Sequence, residues 1–371
     1  MRVWSQYCPF IIVGRPMTDL CEKCKKHNGR IRRAVVNLDG HREEVQAHLD
    51  HLDNVIDERE HYKNLVNQSK TVVENLGIQV LSRNQPCSKD VTFHYSFDFA
   101  QQVHLPSSPL QVGPMYFLVP RKCGIFGVCA EGLPQQINYL IDEGMSSGKG
   151  SNMVISLVHH FFFEYGIGEK RVELHCDNCS GQNKNNYMMF YLAWRCILGL
   201  HEEITVNFMP AGHTKFSPDW CFGLLKKKYR LSEVNSLNEL AAVVGASTNK
   251  GINRAQLVGN ESGVDFVPVY DWQKYFNEIF RTIKNLKKFF HFRFSTVTPG
   301  QAFTRTRLLG VAEEEHTLIK PGAAAFIAAN PLPRVIPPPG ISPERAQYLF
   351  RNIRRFVSDE CKDILCPQPL Q

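Results

Sequence analysis

From Tyr187 to Leu200 the chain is apolar nearly all round. A helix built from these residues has no face to give to water, so it has to be covered on every side. The flanking segments say by what. Arg171 to Cys176 reads as a short buried strand that ends at Asp177, and Ile204 to Met209 reads as another. A buried helix between two short apolar strands belongs to a layered α/β domain.

Upstream of this unit the pattern is strand-like. Val91 to Phe99 alternates polar and apolar residues and ends in Phe97-Asp98-Phe99. A loop with Pro106, Pro109 and Pro114 leads to Met115–Val119, and Pro120-Arg121-Lys122 turns the chain into Cys123–Ala130, which gives three strands in a meander. Ser146 to Tyr165, with Met153, Leu157 and Phe161-Phe162-Phe163, reads as a helix. Beyond Met209, the loop Ala211-Gly212-His213-Thr214 precedes a helix entered at Ser217-Pro218-Asp219, where a proline in the first turn and an acid near the N-terminus are favourable. The order is βββαβαβα, so residues 88–232 are expected to form an α/β domain with a ribonuclease H-like mixed sheet.

The flanks differ from this domain. Residues 1–87 hold Cys21-x-x-Cys24 and then a long amphipathic helix. Val45, Leu49, Leu52 and Ile56 step by 4, 3 and 4, Tyr62, Leu65 and Val66 continue the face, and no proline interrupts His41 to Lys70. This helix is a candidate surface for homo-oligomer formation. Residues 233–371 read as a mainly helical extension. There Trp272, Phe276, Ile279, Ile283, Leu286 and Phe290 mark a second amphipathic helix, and a proline-rich linker at Leu332-Pro333 and Pro337-Pro338-Pro339 leads to a short basic helix at Pro343–Phe356.

No window approaches the roughly 18 apolar residues of a membrane span, and Cys8–Gly14 is too short and too poorly flanked for a secretory signal. With 12 Cys in 371 residues, several inside apolar runs, the thiols are expected to be reduced, in the nucleus or otherwise the cytoplasm. In a chain that is not secreted, the Asn-x-Ser matches at Asn67, Asn178 and Asn260 carry no weight. Charge is more informative. Residues 226–307 carry 14 Lys+Arg against six Asp+Glu, interleaved with aromatics, which suits a polyanion such as DNA. Lys184, Lys215, Lys226, Lys227, Lys228, Arg230, Lys287, Lys288 and Arg293 are the candidate contacts, and a solvated helix face is the alternative reading.

Three acids stand where chemistry would need them. Asp98 closes the first strand, Asp177 closes the fourth, and Asp219 opens the helix after the fifth. Two-metal phosphoryl transfer requires carboxylates from separate elements, because two Mg²⁺ or Mn²⁺ ions about 4 Å apart need hard anionic oxygens around them. Glu143 is the rival third acid. The run His175-Cys176-Asp177-Asn178-Cys179-Ser180-Gly181-Gln182-Asn183-Lys184-Asn185-Asn186 is rich in amides, so Asn178, Gln182 and Asn183 either hold the carboxylates or cap the next helix. His213 either orients water or bonds to backbone. Cys21, Cys24 and His27, with Cys8 as a fourth ligand, are a zinc candidate. His48 and His51 stand at i, i+3 on the long helix, a spacing that can hold a metal but that more often marks solvated histidines. Cys176-x-x-Cys179 reads as loop packing rather than redox chemistry, and Gly144–Gly150 fails as a phosphate-binding loop.

Tyr95-Ser96-Phe97-Asp98-Phe99-Ala100-Gln101, the run from Asp177 to Asn185, and Gly212-His213-Thr214-Lys215-Phe216-Ser217-Pro218-Asp219 with Phe222-Gly223 resemble segments of transposon-related animal proteins that share a ribonuclease H-like domain of unknown function. Cys21–His27 and Cys366-Pro367 also fit, so the likeness spans most of the chain. The resemblance implies an integrase- or transposase-type core with its triad on Asp98, Asp177 and Asp219. Two functions follow as expectations: a metal-dependent DNA nuclease or strand transferase, or a domesticated, catalytically silent DNA-binding or scaffold protein. A weaker third is a zinc-stabilised interaction module on the first long helix.

Overall fold

The computed structural model describes residues 20–33 and 38–369, so Cys8 lies outside the described residues. Two helices come first, α1 (Glu22–Arg33) and α2 (Leu38–Leu76). Next come β1 (Lys89–Leu105), β2 (Arg121–Ala130), β3 (Gln135–Asp142), α3 (Ser151–Glu164), β4 (Glu169–Cys176), α4 (Asn186–Ile197), β5 (Glu203–Phe208) and α5 (Ser217–Tyr229). The later elements used below are α6 (Leu237–Gly245), β6 (Asn253–Leu257), β7 (Val269–Tyr270), α7 (Trp272–Ile279), β8 (His291–Ser295), β9 (Gln301–Arg305) and β10 (Glu314–Thr317). Residues up to Val55 with Pro210–His213 form one compact unit, and Ile56–Met209 with the residues from Thr214 onward form a second.

Among the described residues of the second unit, nine strands make one mixed sheet in the order β10-β9-β8-β5-β4-β1-β2-β3-β6. β1 runs antiparallel to β2 and β2 to β3, whereas β1 with β4 and β4 with β5 are parallel. The period of 2 along each strand explains the layering. Phe93, Tyr95 and Phe97 of β1, Val172, Leu174 and Cys176 of β4, and Ile204, Val206 and Phe208 of β5 join one core with α3 and α4. Each large side chain buried this way contributes about 1.5–3 kcal/mol. α4 is apolar all round because it is covered twice. Its inner face meets the sheet core, and α7 covers it from outside, with Trp194 and Trp272 at 5.3 Å and Phe190 stacked on Phe280 at 5.1 Å.

The alternate residues of the same strands are polar and turn to the other face. The second half of α2 caps them. Glu58 meets His291 at 2.9 Å, Tyr62 lies edge-on to His94 and His175, and Ser69 Oγ accepts the His94 amide at 3.0 Å. On the β2–β3 side this face is covered by α5 and α6, where Phe222, Leu225 and Leu240 pack with Ile125 and Leu140. The part of α2 read as an oligomer surface thus buries Glu58, Leu65 and Ser69 within its own unit.

Three expectations are corrected. Met115–Val119 is not a strand: Gly113–Phe117 is a 3₁₀ turn with proline at its start, and Tyr116 and Phe117 are exposed. The third strand of the meander is β3 instead, whose polar residues disguise it. Gln136 and Asn138 are buried there and linked by hydrogen bonds, Gln136 Nε2 donating to Asn138 Oδ1 at 2.8 Å and Asn138 Nδ2 to Asn253 Oδ1 at 3.2 Å. The helix read through Phe290 ends at Ile279, because the Arg281 amide bonds to the Leu318 carbonyl at 2.7 Å and Asn285 adopts φ 52°. Residues 233–371 are therefore not mainly helical: β6 extends one edge of the sheet and β8, β9 and β10 the other.

Candidate functional site

Parallel pairing of β1 with β4 aligns Phe97 with Cys176. The next residue in each case is the acid, so Asp177, just past the end of β4, stands beside Asp98, which lies inside β1 rather than closing it because that strand runs on to Leu105. Asp98 Oδ1 accepts the Phe99 amide at 2.7 Å, and Asp177 Oδ1 accepts the Cys179 amide at 3.1 Å and Asn183 Nδ2 at 2.6 Å. Burial, and then repulsion from Asp177 and from Asp219, push the Asp98 carboxyl up to about 7, against the Phe99 amide and the weaker pull of Lys149. Asp219 stands in the first turn of α5, where its Oδ2 accepts the Phe216 amide at 3.1 Å. The three acids thus share one electrostatic neighbourhood with Asp98 as its centre.

The amide-rich loop after Asp177 does more than cap a helix. The Cys179 carbonyl accepts the Gln182, Asn183 and Lys184 amides, which folds the loop back on itself. Asn185 caps α4 through the Met188 amide at 3.1 Å, while Asn183 steadies Asp177. Asn178 Nδ2 donates to the Met209 carbonyl, and its Oδ1 accepts Lys184 Nζ at 3.0 Å. Asn178 is therefore a brace between the ends of β4 and β5. Glu143 is excluded as the third acid by its own partner. Burial would raise its carboxyl, but Arg345 holds it below its usual value through contacts of 2.7 and 3.0 Å.

The first unit holds a separate cluster. Cys21, Cys24, His51 and His213 present ligating atoms that all lie within 4.8 Å of one another. Two expectations change here. His27 is not a member, because its Nδ1 pairs with Glu44 at 3.0 Å and its ring lies by His48 at 5.7 Å. His213 stands in this cluster, because Gly212 at φ 79° turns the loop against the Cys21 backbone and brings His213 beside Cys24. His51 of the His48/His51 pair joins the cluster and His48 does not.

The family model described as a domain of unknown function, DUF7869, matches residues 120–309. The chain belongs to this family. The match holds Asp177, Asn178, His213 and Asp219, while Asp98 stands ahead of it on β1. No curated protein and no solved structure matches the chain.

Three of the fourteen basic residues of the 226–307 window pair with acids that lie outside it. Arg293 pairs with Glu313 at 2.8 Å and with Glu203, Arg305 pairs with Glu313 at 2.9 Å, and Lys288 pairs with Glu314 at 2.9 Å. Lys184 is nearly buried, although it lines the same open groove as Lys287. It is 5% exposed, its Nζ lies 3.7 Å from the centre of the Phe290 ring, and burial lowers it to about 8. Lys215, Lys227, Lys228, Arg230 and Lys287 are exposed, and Lys226 is half-buried. Ser180, Asn185, Asn186 and Lys287 line an open groove of about 630 Å³ beside the loop that follows Asp177.

Two features had no motif to announce them. Buried Glu131 accepts Ser217 Oγ at 2.5 Å and also bonds to Ser96, and burial raises its carboxyl. His94 and His175 share a hydrogen bond of 2.8 Å under Tyr62, and burial pushes His94 down to about 3. Their signal was the alternation in His94-Tyr95-Ser96-Phe97-Asp98, which puts two buried polar groups on the face that carries the acid. Trp220, next to Asp219 and 54% exposed, also went unnoticed.

Proposed function

We propose that this chain is a transposase-derived, metal-dependent DNA nuclease or strand-transferase core whose acid site is Asp98, Asp177 and Asp219. One observation carries the reading: the parallel β1–β4 register sets Asp98, within β1, beside Asp177, just past the end of β4, and the charges of Asp177 and Asp219 add to the burial that raises Asp98. The central strand order β5-β4-β1-β2-β3, with its parallel and antiparallel pairs, supports a ribonuclease H-like arrangement.

The donor set fits hard divalent cations. Carboxylate oxygens suit Mg²⁺ or Mn²⁺, and a carboxyl raised by its neighbours' charge is one that a cation would return to its ionised form. Bound there, such ions would polarise a phosphate and activate water or a 3′-hydroxyl. Asp98, which feels the charge of both other acids, would hold the ions together with Asp177 and Asp219 in this reading. Asn183 fixes one Asp177 oxygen, and the Phe216 amide fixes one Asp219 oxygen. Trp220 offers a ring for an unpaired base, and the groove by Lys287 offers a path for the backbone. The work is placed in the nucleus, on DNA.

The test uses labelled duplex and hairpin DNA with Mg²⁺ or Mn²⁺ and the Asp98→Asn and Asp177→Asn variants. Metal-dependent nicks or joined products, lost in both variants, are expected. Absence of products while wild type and variants still bind DNA would overturn catalysis and leave a silent DNA-binding protein.

A further inference from the structure

We propose that Cys21, Cys24, His51 and His213 bind one structural zinc ion. The geometry is that of a site already assembled. Cys21 Sγ lies 3.3 Å from His51 Nε2, and Cys24 Sγ lies 3.5 Å from His213 Nε2. In a tetrahedral zinc site with Zn–S of about 2.3 Å and Zn–N of about 2.0–2.1 Å, sulfur and nitrogen ligands stand about 3.5 Å apart. All four ligating atoms fall within 4.8 Å of one another, so a small inward turn of the side chains brings each of them within bonding reach of one ion.

The donor types select the metal. Two thiolates and two imidazoles in tetrahedral array suit zinc and reject Mg²⁺ or Mn²⁺, which take oxygen. Four protein ligands close the coordination shell, which is the structural rather than the catalytic pattern. Cys21 directly precedes α1 and Cys24 lies in its first turn, so one helix start presents both sulfurs.

The backbone supplies a second, independent sign. A Cβ on Gly212 would sit 2.5 Å from Cys21 Cα and 2.6 Å from its nitrogen, and φ there is +79°. Only glycine permits the loop to approach so closely, and that approach delivers His213. The ion would then join three stretches of chain, with Cys24 and His213 separated by 189 residues. A metal clip across so long a loop restricts the unfolded chain strongly. This site is independent of the acid site, and its failure would leave the phosphoryl-transfer reading where it stands.

The test is metal analysis of the full-length chain purified under reducing, chelator-free conditions. About one zinc per chain is expected, with a fall of roughly tenfold or more in Cys24→Ala and His213→Ala and none in His27→Ala. Exchange with cobalt(II) is expected to give the intense visible bands of a four-coordinate site with two thiolates. His213→Cys is expected to keep the metal and add a third thiolate-to-cobalt charge-transfer component, an outcome that a misfolded variant cannot give. Wild type without bound zinc, zinc retained in Cys24→Ala and His213→Ala, a weak six-coordinate cobalt spectrum, or no added charge transfer in His213→Cys would each overturn the proposal.

Discussion

Arg345 reaches back 202 residues to clamp Glu143, its Nε at 2.7 Å from Oε1 and its Nη2 at 3.0 Å from Oε2. The same guanidinium donates to the carbonyls of Val119 and Pro120, so one side chain holds the turn before β2 and the end of β3 together. Glu143, plausible by position as the third acid, is thus engaged in holding the fold together.

The pair predicts a clean separation of roles. Arg345→Ala leaves Glu143 half-buried without its partner and should cost about 1–3 kcal/mol, read as a lower urea midpoint. Manganese binding, followed by titration calorimetry, should be unchanged in Arg345→Ala and strongly weakened in Asp177→Asn. Equal loss of manganese affinity in both variants would return Glu143 to the acid site.

The buried histidine pair predicts the response to acid. His94 is pushed from 6.5 down to about 3 by burial and by His61, so the folded chain keeps it neutral where the unfolded chain protonates it. Its contribution is present in full above about pH 6.5 and is lost as pH falls toward about 3, at about 2 kcal/mol between pH 6.5 and pH 5. Urea midpoints at pH 7 and pH 5 should converge in His94→Gln relative to wild type. An unchanged pH slope in that variant would show that other groups carry the acid sensitivity.

Where the sequence spoke through periodicity, it could be read. The apolar run of α4 announced a helix covered on both sides, and Trp272 and Phe276 supply the second cover. Asp177 and Asp219 could be picked out because one follows and the other opens a recognisable element, and Asp98 because it lies in a visibly alternating strand, although that strand runs on to Leu105 instead of ending beside it. The misses have the opposite cause. β3 hides because its polar Gln136 and Asn138 are buried and hydrogen-bonded inside the sheet, and the 272–290 spacing continues past the helix because the turn residues that follow happen to keep its apolar rhythm. The partners of Cys21 and Cys24 could not be found from local spacing, since His213 comes from a loop 189 residues beyond Cys24.

Lys184 and Lys287 illustrate how burial separates residues that composition treats alike. Lys287 is exposed on the groove, whereas Lys184 is 5% exposed against Phe290. In salt titrations of DNA binding, Lys287→Ala should reduce the slope of log K against log salt by about 1, and Lys184→Met should leave it unchanged. Trp220→Ala should weaken single-strand binding by about 1–3 kcal/mol while preserving that slope, because a stacked base adds no charge. An altered slope in Trp220→Ala, or none in Lys287→Ala, would remove the groove from the proposed DNA path.

Gly212→Ala is the sharpest single probe of the cysteine-histidine cluster, because it changes no ligand. The added methyl would stand 2.5 Å from Cys21 Cα and 2.9 Å from Cys21 Cβ, and the backbone there already has φ +79°, so the loop must retreat. Retreat draws His213 away from Cys24. Zinc should then be released to a chromogenic chelator at least tenfold faster than from wild type, about 1.4 kcal/mol at the barrier, with the helix content seen by circular dichroism little changed. Gly199→Ala is the control: φ is +66° there and nothing lies within 4 Å of the new Cβ, so the backbone strain is similar and the collision is absent. If both variants release zinc at the wild-type rate, Gly212 does not hold His213 in place. If both release it equally fast, strain in the backbone rather than contact with Cys21 is the cause.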